Sequence, residues 1–408
     1  MPLPGSGGVT VLDDLPESIV VEEILIRLPP KDILRCRAVC KCWRSATSTD
    51  KFMLDHHRRQ PLLPILSHAY GQDLDEQDGR LFVSRDAGAG QQQLSFPVIR
   101  CSPRHGRLHG ALDGMRVSEG PRYFICNPVT RKCAPLWTPQ MEGDFHHHIV
   151  CFYRLQQPAG EYRVLWATSP VYIDPANANY MTSYNVVAVG SDNPRCIRQA
   201  CIPHPTDVVA LLGSGVTGWA VQLVQLANYP PVHHRGNLHW ELGISCIIVF
   251  NTTTEVFRLM SSPAQLRAQE LLLVEMDGAL AFCSFSTNRD TLDVWVMQDY
   301  DAEIWAFKHR INLSVVDTTS RWDSRMTMYA KMAVLNGCEL LIQFSLGHVL
   351  HYDSHGKFLG YVKSEEDRKI YLWVTTHYLQ ESVFPLPLIH EMREEDAASK
   401  EPPFFVGL

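Results

Sequence analysis

Two short amphipathic segments between Leu12 and Trp43 carry more apolar side chains than a unit of that size can bury, and a longer region with a different hydrophobic period follows. Pro16 and Pro29-Pro30 punctuate the stretch, since proline is tolerated in a first helical turn, where its missing N–H would have no partner anyway. Asp13 and Asp14 precede the first segment, placed to cap it or to favour its positive dipole end. Within it Val20, Ile24 and Leu28 recur at i, i+4 and i+8, with Val21 and Leu25 beside them. The second segment sets Ile33, Cys36, Cys40 and Trp43 at i, i+3, i+7 and i+10, with Val39 adjacent. The spacing predicts two amphipathic helices with Val20, Leu25 and Cys36 packed inside the unit. Leu15, Pro16, Leu28, Pro29, Ile33, Leu34, Val39, Cys40 and Trp43 are the surplus, and are expected to contact a partner.

The opposite face of the second helix is basic: Lys31, Arg35, Arg37, Lys41 and Arg44 stand against the single acid Asp32. A solvated face, a nucleic-acid surface and a docking face for an acidic protein are the three readings. No interleaving of basic and aromatic residues extends the patch, which weighs against nucleic acid. A protein partner combines charge steering with apolar anchors.

Leu15-Pro16-Glu17, Ile24-Leu25, Leu28-Pro29, Ile33-Leu34, Arg37-Ala38-Val39-Cys40-Lys41 and Trp43 together resemble an F-box, over about residues 10–55. The resemblance implies docking to the Skp-type adaptor of a cullin–RING ubiquitin ligase.

The whole chain is 408 residues, 45% hydrophobic and 20% charged, with room for a large core. Its net charge of −7 gives no support for nucleic-acid or anionic-membrane binding. No basic segment followed by an apolar one opens the chain, and no run of about 18 apolar residues offers a membrane span. The 12 cysteines are scattered and read as reduced, buried thiols. A cytoplasmic or nuclear protein is expected.

After residues 52–59 the helical period fades. Polar stretches at 72–79 and 86–93 read as loops, and then come short runs of Val, Ile, Tyr, Phe and Trp, each ended by a turn cluster. Two units recur. One is a turn glycine followed by a strand, at Gly106, Gly236, Gly278 and Gly337. The other is a strand, a polar turn and a second strand, with its turn at Asn127-Pro128, Asn251-Thr252, Asp299 and Asp353-Ser354. This is the pattern of propeller blades. Residues 104–114 with Cys126-Asn127-Pro128-Val129-Thr130-Arg131, Glu161 to Trp166 and Val232 to Trp240 resemble the F-box-associated domains of plant F-box proteins. That resemblance implies a kelch-like propeller that selects substrates, although no Gly-Gly doublet anchors each blade. The expected fold class is α+β and multidomain: an all-α F-box (10–55), a connector and start of the β domain (56–94), an all-β propeller of six to eight blades (95–390) and an acidic tail (391–408). Residues 52–66, stiffened by Pro61 and Pro64, are the expected link between module and propeller.

Catalytic signals are thin. Gly213-Ser214-Gly215-Val216-Thr217-Gly218 matches a dinucleotide fingerprint, with Glu241 near the distance required of a ribose-binding acid. However, Tyr229-Pro230-Pro231 interrupts what should be a βα unit, and a glycine-rich turn is the better reading. His146-His147-His148, His233-His234 and His348 with His351 and His355 lack zinc-site spacing, and neighbouring residues on a strand face opposite ways. Cys36, Cys40 and Cys42 read as packing residues. No nucleophile elbow is present. The expected protein is therefore a non-catalytic substrate receptor, with no cofactor or metal, that binds the adaptor and an unidentified target protein. The alternatives are a propeller enzyme or small-ligand binder with an N-terminal helical motif, and an F-box protein that binds the adaptor without assembling a ligase.

Overall fold

The computed structural model describes residues 15–70, 80–83, 98–99, 108–112, 115–118, 124–127, 129–130, 132–136, 145–155, 161–170, 183–197, 230–242, 246–263, 270–313, 330–345, 348–362 and 370–386. The paired Asp13-Asp14, the polar stretches at 72–79 and 86–93, Gly106, the Gly213–Gly218 motif and the acidic 391–408 segment lie outside the described residues.

The chain begins with helix α1 (Glu17–Ile19), which runs on through a wide turn at Val20–Ile24 and a tight one at Leu25–Arg27. Helices α2 (Pro30–Val39), α3 (Lys41–Thr47) and α4 (Asp50–Arg59) follow. Two expectations change here. The wide turn breaks the i, i+4, i+8 stripe, so Val20, Leu25 and Ile26 are buried while Ile24 stays 38% exposed. The second segment is two helices, because Cys40 is extended (φ −148°, ψ 159°) and its Sγ caps α3 by accepting from the Trp43 N–H at 3.3 Å. Thr49 caps α4 in the same way, through the Phe52 N–H at 3.3 Å.

The expected 52–66 link spans the end of a helix and the start of a strand. Residues 50–59 are α4, and β1 (Leu62–Tyr70) starts after Gln60-Pro61, so the helix feeds straight into a sheet. Among the described residues, the strands form six four-stranded antiparallel sheets. The first joins β24 (Ile370–Gln380), β1, β2 (Arg80–Val83) and β3 (Val98–Ile99) in that order. The others are sequential meanders: β4–β7 (Leu108–Leu112, Met115–Ser118, Phe124–Asn127, Lys132–Pro135), β8–β11 (Phe145–Arg154, Tyr162–Pro170, Ser183–Ala188, Arg195–Cys196) and β12–β15 (Val232–His234, Asn237–Leu242, Cys246–Asn251, Phe257–Ser261). Last come β16–β19 (Glu270–Met276, Ala279–Phe285, Thr291–Asp299, Ile304–Asn312) and β20–β23 (Lys331–Leu335, Glu339–Ser345, His348–Tyr352, Phe358–Val362).

First strands of successive sheets lie side by side: β24 with β4, β4 with β8, β12 with β16, β16 with β20, and β20 with β24. The β8–β11 and β12–β15 sheets share one core around Tyr153, Tyr184, Trp240 and Phe250, which completes a ring. The fold is a β-propeller behind a short helical module. A sheet held between two neighbours is buried on both faces. Its middle strands are therefore buried without a break, as in the apolar run Cys246–Phe250 and in Leu280–Phe285, where Ser284 is the single polar residue, while the outermost strand β19 is largely exposed.

Both repeated sequence units have a structural cause. Arg235-Gly236, Asp277-Gly278 and Asn336-Gly337 each have positive φ at both residues; the first two are the two-residue hairpin loops that match strand twist, and the third lies in a loop that also takes in Cys338. At the second unit a side-chain oxygen gathers backbone donors. Asn127 Oδ1 accepts from the N–H groups of Val129 (2.9 Å) and Thr130 (3.3 Å), and Asn251 Oδ1 from Thr253 (3.0 Å) and Thr254 (2.7 Å). Asp299 Oδ1 does so for Asp301 and Ala302, and Asp353 Oδ1 for His355 and Lys357.

Polar groups stitch neighbouring sheets. A first strand has only one partner in its own sheet, so alternate N–H groups need acceptors elsewhere. The Glu241 carboxylate accepts from the Leu273 N–H (3.2 Å), Gln343 Oε1 from Val374 (2.8 Å) and the Tyr378 hydroxyl from Val334 (2.6 Å). Burial pushes the Glu241 carboxyl up to about 8 against the opposing hydrogen bond from Leu273. Nearby, His239 Nδ1 sits 3.1 Å from the Val232 carbonyl and Nε2 sits 2.8 Å from the Tyr300 hydroxyl. Desolvation lowers this imidazole to about 4. Between the β8–β11 and β12–β15 sheets, buried Glu255 accepts from the Tyr153 hydroxyl (3.1 Å) and pairs with Arg163 and Arg195.

Candidate docking surface of the helical module

The module's core contains Val20, Leu25, Ile26, Ile33, Phe52 and Met53, with Cys36 packed against it. Val20, Leu25 and Cys36 thus occupy the inward positions expected of them. Ile33, also expected to contact a partner, is fully buried (0% exposed), one turn into α2. Leu28, Leu34 and Trp43 are half-buried along the rim of the same core. Leu15, Pro16, Pro29, Val39 and Cys40 are exposed, Val39 most of all at 67%.

Sequence reasoning missed two members of the exposed apolar set, Ile19 (43%) and Ile24 (38%). Ile24 falls in the apolar i, i+4, i+8 pattern but belongs to neither the inward nor the partner-facing set expected from the sequence, and the wide turn at Val20–Ile24 sets where it lies. No signal in the residues marks that turn.

The basic fringe is narrower than the sequence suggests. Lys31, Lys41 and Arg44 are exposed, and Arg35 is exposed but paired with Asp32 at 2.7 Å. Arg37 belongs to the scaffold instead. Its guanidinium donates to the Thr47 carbonyl (2.5 Å) and hydroxyl (3.2 Å), satisfying an end of α3, and burial lowers its pKa. The Cys42 thiol donates to Glu17 at 2.5 Å, tying α3 to α1, and that bond raises its pKa. Cys36 and Cys40 make no contact with Cys42 of the kind a metal site would need. Among the described residues no group of three or more His, Cys, Asp or Glu is placed to hold a metal.

Residues 12–55 match the F-box domain, and residues 89–369 match the F-box associated beta propeller domain. The chain is a plant F-box protein with an F-box-associated propeller. The F-box protein At5g49610 of Arabidopsis thaliana is 23% identical over 311 residues, covering 73% of this chain and 79% of that protein. The F-box/kelch-repeat protein At4g19930 of the same plant is 23% identical over 330 residues, covering 75% and 72%. The F-box/LRR-repeat protein At2g43260, also from Arabidopsis thaliana, is 42% identical over 62 residues, 15% of this chain and 14% of that one. An oligogalacturonate lyase structure in complex with manganese aligns at a TM-score of 0.36 and 8% identity, covering 73% of this chain and 84% of its own, a likeness that carries no argument. Among the described residues of this F-box protein, no helix is long and apolar enough to cross a membrane.

Proposed function

We propose that this F-box protein is a non-catalytic substrate receptor of a cullin–RING ubiquitin ligase, acting in the cytoplasm or nucleus. In this reading the F-box docks a Skp-type adaptor and the propeller binds a target protein. The observation that carries it is that the apolar side chains of Leu15, Ile19, Ile24 and Val39 stay exposed on the helical module instead of joining its core. Lys31, Lys41 and Arg44 are exposed on the same module and would steer an acidic partner. Pro16, Leu28, Pro29, Leu34, Cys40 and Trp43 complete the contact set, and Ile33 supports it from beneath. Catalysis would be by proximity: target lysines are held near the ubiquitin-loaded enzyme at raised effective concentration. Each four-stranded sheet is read as one blade, which narrows the expected six to eight blades to six. The module is read as ending at Arg59, where α4 ends.

Co-expression with a Skp-type adaptor tests the reading, comparing the natural chain with Val39→Glu and with a Leu15→Ala, Pro16→Ala double variant. Val39 and its neighbours are on the surface, so both variants keep the fold. Loss of an anchor worth at least about 2 kcal/mol weakens the complex roughly thirtyfold. A natural chain that folds yet binds no adaptor, or variants that bind as well as it does, would remove the proposal.

A further inference from the structure

We infer that the F-box core of this chain is completed by residues 380–386, which run on from the end of the ring-closing strand β24, so that the helices depend on the propeller for their packing while the propeller's distant sheets do not depend on the helices. β24 closes the ring by pairing with β1, and the segment that follows it turns back beneath the helices. Val383 (2% exposed) and Phe384 (9%), together with Val129 (7%) from the β6–β7 turn, sit in the same apolar cluster as Val20, Ile26, Phe52 and Met53. A third of that cluster's buried members are therefore supplied by the propeller.

Polar contacts fix the segment from both sides. From the helical side, His57 Nδ1 lies 3.2 Å from the Glu381 carbonyl, and its ring meets Phe384 edge-on at 5.4 Å. The Gln60 carbonyl accepts from Gln380 Nε2 at 2.7 Å. From the propeller side, buried Asn127 donates through Nδ2 to the carbonyls of Ser382 (3.2 Å) and Phe384 (3.1 Å). The Arg154 guanidinium covers the Phe384 ring at 5.4 Å. Leu386 then packs against the core shared by β4–β7 and β8–β11. Residues 380–386 thus act as a strap between α4 and two sheets.

Both ends of the link are short. α4 passes into β1 through two residues, and β1 is itself paired with β24. The helical module is therefore held at its chain exit and across its apolar underside. Removing the underside contacts should loosen α2 and α4 without disturbing distant sheets.

Hydrogen exchange of the full-length chain tests this, with a Val383→Ala, Phe384→Ala double variant and a His57→Ala variant. Exchange in α2 and α4 is expected to rise at least about tenfold, with the middle strands β14, β17 and β21 unchanged within about twofold. His57→Ala removes strap contacts from the helical side alone, and it decides the matter should the double variant not fold. Unchanged protection of α2 and α4 would overturn the inference, as would loss of protection in β14, β17 and β21 in step with the helices.

Discussion

Gly356 approaches Ile311 so closely that a β-carbon on it would lie 2.8 Å from Ile311 Cγ1. The glycine has φ +80° in the turn between β22 and β23, and Ile311 is a buried residue of the adjoining sheet. Gly356→Ala is expected to lower stability by about 2 kcal/mol or more, from backbone strain and the forced displacement of Ile311. Combining it with Ile311→Ala should recover part of the loss. Denaturant midpoints for the four members of the cycle check this, and strict additivity would show that the contact is not responsible.

Glu255 holds φ +55° without being glycine, and its carboxylate anchors Tyr153, Arg163 and Arg195. Its partners hold it in that conformation. Glu255→Ala should cost about 3 kcal/mol, since it strands buried donors and keeps the strain. Glu255→Gly strands the same donors yet relaxes the backbone, so it should be about 1 kcal/mol less harmful. Equal losses in thermal or chemical unfolding would contradict the strain argument.

Two groups in the seam between β12–β15 and β16–β19 make stability depend on pH in opposite senses. Folding raises the Glu241 carboxyl from 4.5 to about 8, so the native state holds its proton longer and stability falls as pH rises through that window. Folding lowers His239 from 6.5 to about 4, so its contribution is whole above 6.5 and is lost as pH falls towards 4. The two slopes oppose one another between 4.5 and 6.5, and above that Glu241 acts alone. Glu241→Gln keeps an acceptor for the Leu273 N–H and should be the more stable protein by about 2 kcal/mol near pH 9, with no advantage near pH 4. Unfolding curves of the two proteins that stay parallel across this range would exclude the assignment.

The Asn251 side chain organises its turn through Thr253 and Thr254, the task that Asp299 and Asp353 perform in later sheets. Asn251 Nδ2 also donates to Asn237 Oδ1 at 3.0 Å, so Asn251→Asp, which keeps only the turn bonds, should cost about 0.5–1 kcal/mol and Asn251→Ala, which loses both, about 1–2 kcal/mol. Measured unfolding free energies that rank the two alike would place the energy elsewhere in the turn.

What could be read from the residues was local. The Asn or Asp turns and the Asp277-Gly278 and Asn336-Gly337 hairpins are set by side chains within a few positions, so their recurrence exposed the repeat. The inward positions of Val20 and Leu25 followed from short-range periodicity. The outward turn of Ile24 and the break at Cys40 did not, because each depends on one backbone irregularity inside an otherwise helical pattern. The burial of Ile33 left no trace for a different reason. The surplus of apolar side chains was attributed wholly to an outside partner, whereas Val129, Val383 and Phe384 add to the core that encloses it. Contacts from α4 and its C-cap Gln60 to residues 320 or more positions later leave no periodic trace.

The strap also sets an order of events during synthesis. The F-box leaves the ribosome first, while Val383 and Phe384 are made about 324 residues after Arg59. At 5–20 residues per second, roughly 16–65 s separate the two. Throughout that interval the underside of the newborn helices faces water, so a chaperone that shields apolar helical surface has a defined window in which to act on this chain.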